Sequence, residues 1–177
     1  FEFHKKRYKK EDLGKVIWFA GGKMDWQNVI GLHIGVDEID KGQFEKISEI
    51  DFASGACMLI KSDVFKKIGK FDERYFLYYE DSDFCQRAKK TQYKIIYNPK
   101  AILWHKNAGS TGGSGSELQD YYLTRNRLLF GMKYAPYKSK LALLKESISL
   151  LAKGRKWQKR GVKDFYFGNF GKGSFSI

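Results

Sequence analysis

The chain has 177 residues, of which 42% are hydrophobic and 16% aromatic, so it is large and apolar enough for one compact domain and is not an intrinsically disordered protein. Its two cysteines, Cys57 and Cys85, are too few for a disulfide scaffold or a zinc module, and we expect reduced, mostly buried thiols. The net charge of +13 concentrates in residues 5–10 and 138–163, and such basic blocks bind nucleic acid, anionic membranes or phosphorylated ligands, or simply form a solvated surface.

The pattern of apolar residues predicts strands that alternate with helices, which is typical of α/β architecture. Residues 23–50 are interpreted as a long, partly ordered loop of the kind that usually has a function. A short helix, residues 64–68, is expected to be capped by Ser62 or Asp63 and to stop at Gly69. Further strands are predicted at residues 16–20, 56–60, 94–97 and 101–105, and further helices at residues 80–90 and from Glu117 onward.

Two later segments allow more than one interpretation. Residues 107–116 are nearly all small, so they form either a plain linker or a mobile active-site loop directly after His105. An apolar stripe at helical spacing predicts an amphipathic helix that ends at Gly154 and either docks on the domain or rests on a membrane; its members are Leu141, Leu144, Ile148 and Leu151.

Three carboxylates lie within four positions at the start of the predicted helix 80–90: Glu80, Asp81 and Asp83. Acids at a helix N-terminus are often only caps, because the free N–H groups there stabilise a negative charge. The functional alternative is that one acid faces a cleft and takes a proton from a hydroxyl as that hydroxyl attacks. His105, at the end of a predicted strand, is by itself more typical of a structural histidine.

Taken in order, several stretches resemble family 2 glycosyltransferases, especially the rhamnosyltransferase-like and galactofuranosyltransferase-like members. The similarity extends over about residues 15–135. The four main motifs are residues 54–60, residues 71–85 with the Glu80-Asp81 pair, residues 93–105 ending in Trp104-His105, and residues 121–127 with Arg125-Asn126; residues 18–22, 33–35 and 41–44 also match upstream segments.

The resemblance implies a partial GT-A fold, in which a mixed sheet has flanking helices and a helical C-terminal extension. It implies an inverting enzyme that transfers a sugar from a nucleoside diphosphate sugar to a hydroxyl of a glycan or lipid-linked acceptor. Asp81 would be the general base, Glu80 would orient it or bind acceptor hydroxyls, and His105 would ligate Mn²⁺ or Mg²⁺. The residues implied to bind the acceptor or substrate are Trp18, Gly55, Tyr79, Arg125 and Asn126.

The resemblance also implies an organisation for the chain. Residues 1–14 would form a basic segment, residues 15–116 the C-terminal half of a catalytic domain, and residues 117–177 a basic helical extension. The nucleotide-binding half, with its Asp-x-Asp carboxylates, is expected before residue 1, because the sequence has no Asp-x-Asp motif in a suitable place. Asp81-Ser82-Asp83 has the right spelling but occupies the position of the Glu-Asp pair. We therefore expect the isolated chain to be inactive and its metal site to be empty.

Two other functions compete with this interpretation. A nucleic-acid-binding domain fits the charge, but the sequence has no RNP, KH or helix-turn-helix pattern, so nucleic acid is not an expected partner. A non-catalytic carbohydrate-binding or scaffold domain with the same shape is the alternative. The expected location is cytoplasmic, with a possible peripheral contact to an anionic membrane surface through the basic extension.

Overall fold

The computed structural model describes residues 8–105 and 115–175. Within them a short 3₁₀ turn, Lys10–Asp12, precedes four strands and five helices, and the α/β class is confirmed with small two-stranded sheets, as fits part of a GT-A fold. The strands are β1 (Gly22–Asp25), β2 (Ile30–His33), β3 (Ser48–Glu49) and β4 (Ile96–Tyr97); the helices are α1 (Ser62–Ile68), α2 (Glu80–Lys90), α3 (Glu117–Tyr134), α4 (Tyr137–Lys153) and α5 (Lys156–Tyr166).

The chain divides into two compact units that are interleaved along the sequence. The first consists of Phe1–Met24, Gly31–Gly69 and Cys85–Asn107, and the second of Asp25–Ile30, Lys70–Phe84 and Ala108–Ile177. The domain boundaries drawn from the sequence at residues 14 and 116 stay a prediction.

The first unit contains a small antiparallel sheet and a buried apolar cluster. Strand β3 pairs with β4, with Ser48 opposite Tyr97 and Glu49 opposite Ile96. The buried cluster includes Ala20, Met24, Ile50, Phe52, Val64, Cys85 and Ala88. A side chain cannot replace the hydrogen at Gly22, since a Cβ there would lie 2.5 Å from the Phe52 carbonyl oxygen.

The second unit is built around α3, which packs against α4 and α5. Ser116 caps α3 by accepting a hydrogen bond from the Gln119 N–H. Gly131 lets α4 approach closely, because a Cβ there would lie 2.2 Å from Leu143 Cδ1. The buried face of α3 supplies Tyr121, Tyr122, Arg125, Asn126, Leu128, Leu129 and Phe130.

The helices predicted from the sequence are confirmed, and the predicted strands mostly are not. Helix α2 has the predicted bounds, whereas residues 16–20 form only an isolated bridge and backbone bonds such as Ala20 N–H to Ile34 O. Residues 23–50, interpreted as a loop, include β2, β3 and all of β1 except Gly22. Residues 56–60 and 101–105 are not strands, and Leu59, Ile102 and Trp104 are exposed. Lys61, rather than Ser62 or Asp63, is the N-cap of α1.

One burial prediction was wrong: Cys57 is exposed, and only Cys85 is buried. The apolar stripe of α4 was left open between docking on the domain and resting on a membrane. Two of its members, Leu141 and Ile148, are 41% and 66% exposed, whereas Leu143, which is not part of the stripe, is 2% exposed. The predicted segments 107–114 and 5–7 lie outside the described residues.

Candidate functional site

The loop that leads into α2 has a strained backbone. Phe76, Tyr78 and Tyr79 all adopt positive φ, at 62°, 65° and 71°. Residues other than glycine rarely adopt this conformation, which costs on the order of 1–2 kcal/mol each. Such a conformation persists only where surrounding groups hold it, and the loop places Glu80 and Asp81 at the start of the helix.

Two buried side chains of α3 hold this loop. The Asn126 amide nitrogen lies 2.8, 2.7 and 2.9 Å from the carbonyl oxygens of Tyr75, Leu77 and Tyr78. Arg125 Nη2 donates to the carbonyl oxygen of Tyr75 at 3.0 Å. Both side chains are fully buried, so these bonds form in a low dielectric where an unpaired carbonyl would be costly. We call Arg125 and Asn126 the loop clamp.

The first two carboxylates of α2 have different surroundings. Burial, reinforced by the charge of Asp81, raises the pKa of Glu80 to about 7. Its Oε2 atom is buried and has no hydrogen-bond partner among residues 8–105 and 115–175. Asp81 Oδ1 accepts hydrogen bonds from the Ser82 N–H at 2.6 Å and the Ser82 hydroxyl at 3.2 Å. A carboxyl whose pKa lies near neutrality can exchange a proton with a ligand.

The third carboxylate, Asp83, is structural. It is fully buried, and its Oδ1 accepts hydrogen bonds from Lys133 Nζ and the Tyr134 hydroxyl, both at 2.7 Å. The Tyr75 hydroxyl also donates to it, at 3.4 Å. Asp83 therefore ties α2 to α3, and Asp81-Ser82-Asp83 does not present two free carboxylates to a metal ion.

A cleft of about 460 Å³ lies beside Glu80. It is lined by Phe71, Asp72, Glu73, Phe76 and Glu80 from the segment before and at the start of α2, and by Gly171 and Lys172 near the C-terminus. Phe71 and Phe76 are partly exposed aromatic rings, at 37% and 52%. The cleft therefore combines apolar ring faces with carboxylates and an ammonium group.

Tyr79 is a packed residue of the same loop. Its hydroxyl donates to the Val29 carbonyl oxygen at 2.8 Å, and its ring centroid lies 5.3 Å from that of Phe130. Burial raises the pKa of its hydroxyl well above the usual range. The second unit thus brings together five predicted site residues: Tyr79, Glu80, Asp81, Arg125 and Asn126.

The other predicted residues lie in the first unit. The rings of Trp18 and His105 are in contact, with centroids 4.7 Å apart, and His33 meets the edge of Trp18 at 4.8 Å. Gly55 is exposed in a turn closed by the bond from the Cys57 N–H to the Ser54 carbonyl.

His105 alone does not make a metal centre. Its Nδ1 atom is buried and has no hydrogen-bond partner in the part of the chain that the structure describes, which suits a ligand. No group of three or more His, Cys, Asp or Glu side chains that could hold a metal ion occurs within those same ranges. The described residues therefore do not fit a complete metal site.

Sequence reasoning missed two features of the site. The inward role of the loop clamp gives no sequence signal, because an Arg-Asn pair on a helix is equally compatible with an exposed surface. The contribution of Lys172 to the cleft was missed as well. The spacing of Gly168, Gly171 and Gly173, all of which adopt positive φ, marks a tightly turned segment at this position.

Comparison with known proteins gives consistent matches. The family model described as glycosyltransferase like family 2 matches residues 8–127. An N-acetylglucosaminyl-diphospho-decaprenol L-rhamnosyltransferase of Mycobacterium tuberculosis is 41% identical over 63 residues, which cover 36% of this chain and 20% of that protein. The low-salt glycan biosynthesis hexosyltransferase Agl10 of Haloferax volcanii is 33% identical over 88 residues, or 50% of this chain and 29% of that protein.

Rhamnosyltransferase WbbL of Escherichia coli is 27% identical over 73 residues, which cover 40% of this chain and 28% of that protein. The aligned segments thus span less than a third of each of these relatives. No solved structure matches the chain significantly.

Proposed function

The chain belongs to the glycosyltransferase-like family 2, and we propose that the full-length enzyme transfers a sugar, with inversion, from a nucleoside diphosphate sugar to a hydroxyl of a glycan or lipid-linked acceptor. The observation that carries this proposal is the Glu80-Asp81 pair at the start of α2, where Glu80 lines a cleft and the loop clamp holds the preceding backbone. The names of the relatives, two rhamnosyltransferases and a hexosyltransferase, agree with it. Family membership does not favour the non-catalytic alternative.

In the proposed reaction Asp81 takes the proton of the acceptor hydroxyl. The acceptor oxygen then attacks the anomeric carbon from the face opposite the leaving group, and the bond from that carbon to the diphosphate oxygen breaks. A single displacement of this kind inverts the configuration at the anomeric carbon. Glu80, in the cleft, would bind an acceptor hydroxyl and keep the attacking oxygen near Asp81.

We assign the remaining predicted residues according to their surroundings. Burial and bonds to loop carbonyls support a positioning role for Arg125 and Asn126, which would shape the acceptor side from behind the loop. Tyr79 would act in the same way through its packing against Phe130. Contact of Trp18 and Gly55 with substrate stays a prediction.

Family 2 members generally use a divalent metal that offsets the charge of the diphosphate leaving group. The orphaned Nδ1 atom supports His105 as one ligand of such an ion, but the described residues do not form a group of three or more ligands, and no step is assigned to the metal.

The base assignment is tested in the full-length enzyme with Asp81→Asn and a matched control. Asp63 occupies the second position of α1 as Asp81 does in α2, so Asp63→Asn removes a comparable helix-start charge. We expect Asp81→Asn to lower the rate of sugar transfer roughly 10²–10⁴-fold while donor binding is retained, and Asp63→Asn to leave transfer unchanged. Unchanged transfer in Asp81→Asn would refute the assignment. The 177-residue chain alone is expected to show no transfer.

We also propose that the outer face of α4 contacts an anionic membrane surface. Leu141 and Ile148 are exposed one heptad apart, and the exposed Lys138 and Lys145 lie next to them on the helix. The acid of this stretch, Glu146, is neutralised by Arg127 at 2.7 Å. In the described ranges no helix is long and apolar enough to cross a bilayer.

A further inference from the structure

A segment near the C-terminus is fixed in place by buried polar groups although it has no regular secondary structure. We call residues 168–175 the strap. Gly168, Gly171 and Gly173 have φ of 70°, 64° and 60°, so these three positions require glycine or a strained residue. At Gly173 any side chain would also collide with the protein, since a Cβ would lie 2.0 Å from the Tyr121 hydroxyl oxygen.

The anchor of the strap is Asp164, which is 3% exposed at the end of α5. Asp164 accepts hydrogen bonds from the Tyr121 hydroxyl and from the Ser174 N–H, the latter at 2.9 Å. The Asn169 amide nitrogen donates to the same carboxylate at 3.2 Å. Hydrogen bonds from several neutral donors and the nearby Arg160 keep the pKa of Asp164 below its usual value despite its burial.

The strap is bonded to the same elements that shape the candidate site. The Gly171 N–H donates to the Arg74 carbonyl oxygen at 2.9 Å, next to the loop before α2. The Tyr122 hydroxyl donates to the Lys172 carbonyl oxygen at 2.9 Å. Since both bonds use the backbone, they fix the position of residue 172 and leave its exposed side chain available.

These contacts place Gly171 and Lys172 in the lining of the cleft that Glu80 also lines. The cleft volume of about 460 Å³ lies in the range usual for small-molecule sites. Phe71 and Phe76 offer ring faces, while Glu73 and Glu80 accept and Lys172 donates hydrogen bonds. This combination suits a neutral sugar, which has an apolar C–H face and a rim of hydroxyls, better than it suits an anion.

We propose that the strap is a specificity element, in which Lys172 donates a hydrogen bond to a hydroxyl of the acceptor sugar held beside Glu80. The proposal rests on the proposed function, because it identifies the occupant of the cleft as the acceptor. The family match ends at residue 127, so the strap adds to the cleft a residue from outside the matched region. Lys172 would therefore discriminate among acceptors without changing the proposed reaction.

The experiment uses the full-length enzyme and a panel of methyl glycosides of glucose, galactose and N-acetylglucosamine as acceptor-site probes. Binding of each glycoside is measured by ligand-observed NMR titration, and transfer is measured separately. Lys172→Ala is compared with Lys172→Arg, which keeps a donor, and with Lys163→Ala, which removes another exposed lysine of the C-terminal region.

We expect Lys172→Ala to weaken the binding of the preferred glycoside, and to raise the acceptor KM, by roughly tenfold with little change in kcat. Lys172→Arg should recover most of the binding, and Lys163→Ala should behave as wild type. Equal binding by wild type and Lys172→Ala, or no binding of any glycoside, would overturn the inference. Failure of the proposed function has a different signature, which is normal transfer in Asp81→Asn.

Discussion

At the scale of single residues, Glu80 is a carboxyl group whose surroundings in the fold disfavour its charged form. Burial is the main cause of its raised pKa of about 7, and the neighbouring charge of Asp81 adds to it. In the unfolded chain the same group titrates near 4.5. Between these two values the unfolded chain loses a proton that the folded chain retains, so ionisation of Glu80 lowers the stability of the fold as pH rises.

Glu80→Gln should therefore stabilise the chain at high pH. Near about pH 4 the variant and wild type should have similar free energies of unfolding, because Glu80 is protonated in both states. Near about pH 8 the variant should be more stable by roughly 2–3 kcal/mol, since a neutral amide replaces a buried charge. Urea denaturation at both pH values measures the difference. Glu73→Gln, at an exposed cleft position, is the control and should show no pH-dependent gain; an equal gain there would contradict the assignment.

Asn126 shows how a fully buried amide can matter to a site that it does not touch. Asn126→Ala removes the donor that bonds the carbonyls of Leu77 and Tyr78 and one of the donors to the Tyr75 carbonyl, so it should lower the free energy of unfolding by roughly 1–3 kcal/mol. Asn126→Asp should cost at least as much, because it places carboxylate oxygens against carbonyl oxygens. Thermal unfolding monitored by circular dichroism measures both effects. Asn28→Ala, at an exposed turn, is the control. If Asn28→Ala lost as much stability as Asn126→Ala, the proposed stabilising role of the loop clamp would be contradicted.

At the scale of elements, the apolar stripe of α4 in the sequence and the buried face of α4 in the structure are different sets of residues. Its buried face is formed by Ser139, Leu143 and Ser147, with Leu143 against Gly131 of α3. Leu143→Ala should cost about 2–5 kcal/mol in the free energy of unfolding, whereas Leu141→Ala, the same chemical change two positions away on an exposed face, should cost less than about 1 kcal/mol. Chemical denaturation of the two variants is the measurement. The opposite order would show that Leu141, and not Leu143, lies in the packed face of α4.

The helices were predictable because their signals are local. Each signal depends on residues that are close together in the sequence. The signals are the acids at the start of α2, Gly69 after α1 and the periodic apolar run after Glu117. The strands were not, because apolar runs such as residues 56–60 and 101–105 are strands only if a partner pairs with them, and Leu59 and Trp104 are instead exposed. In α4 two of the three buried residues are the small polar residues Ser139 and Ser147, which an apolar pattern does not detect.

The candidate site divides in the same way. The identity and order of Glu80, Asp81, Arg125 and Asn126 were recognisable from family resemblance, and the structure places them in one unit. The direction of their side chains was not predictable, since it depends on contacts between residues about fifty positions apart, such as Asn126 with Tyr75. The strap could not be predicted for the same reason, because its anchor, Asp164, bonds to Tyr121, which is 43 positions away.

At the scale of the whole molecule, a net charge of +13 favours binding to an anionic partner. Nucleic acid and a membrane surface bind different side chains of a protein. Nucleic acid needs only the positive charges, whereas a membrane surface also binds exposed apolar side chains. The outer face of α4 has both, with Leu141 and Ile148 next to Lys138 and Lys145. The apolar pair therefore distinguishes the two partners.

Sedimentation with vesicles tests this directly. The chain should bind vesicles of phosphatidylglycerol and phosphatidylcholine at low salt and lose most of that binding in pure phosphatidylcholine. The double variant Leu141→Ser/Ile148→Ser keeps the net charge and should bind at least several-fold more weakly, because the apolar contribution of about 1.5–3 kcal/mol per fully inserted side chain is lost. The charge variant Lys138→Glu/Lys145→Glu should also weaken binding to the vesicles. It should not make the salt dependence of vesicle binding steeper, nor the salt dependence of retention on nucleic acid. Binding that is insensitive to the serine pair, together with steep salt-dependent retention on nucleic acid, would instead identify a charge-only surface and contradict the membrane proposal.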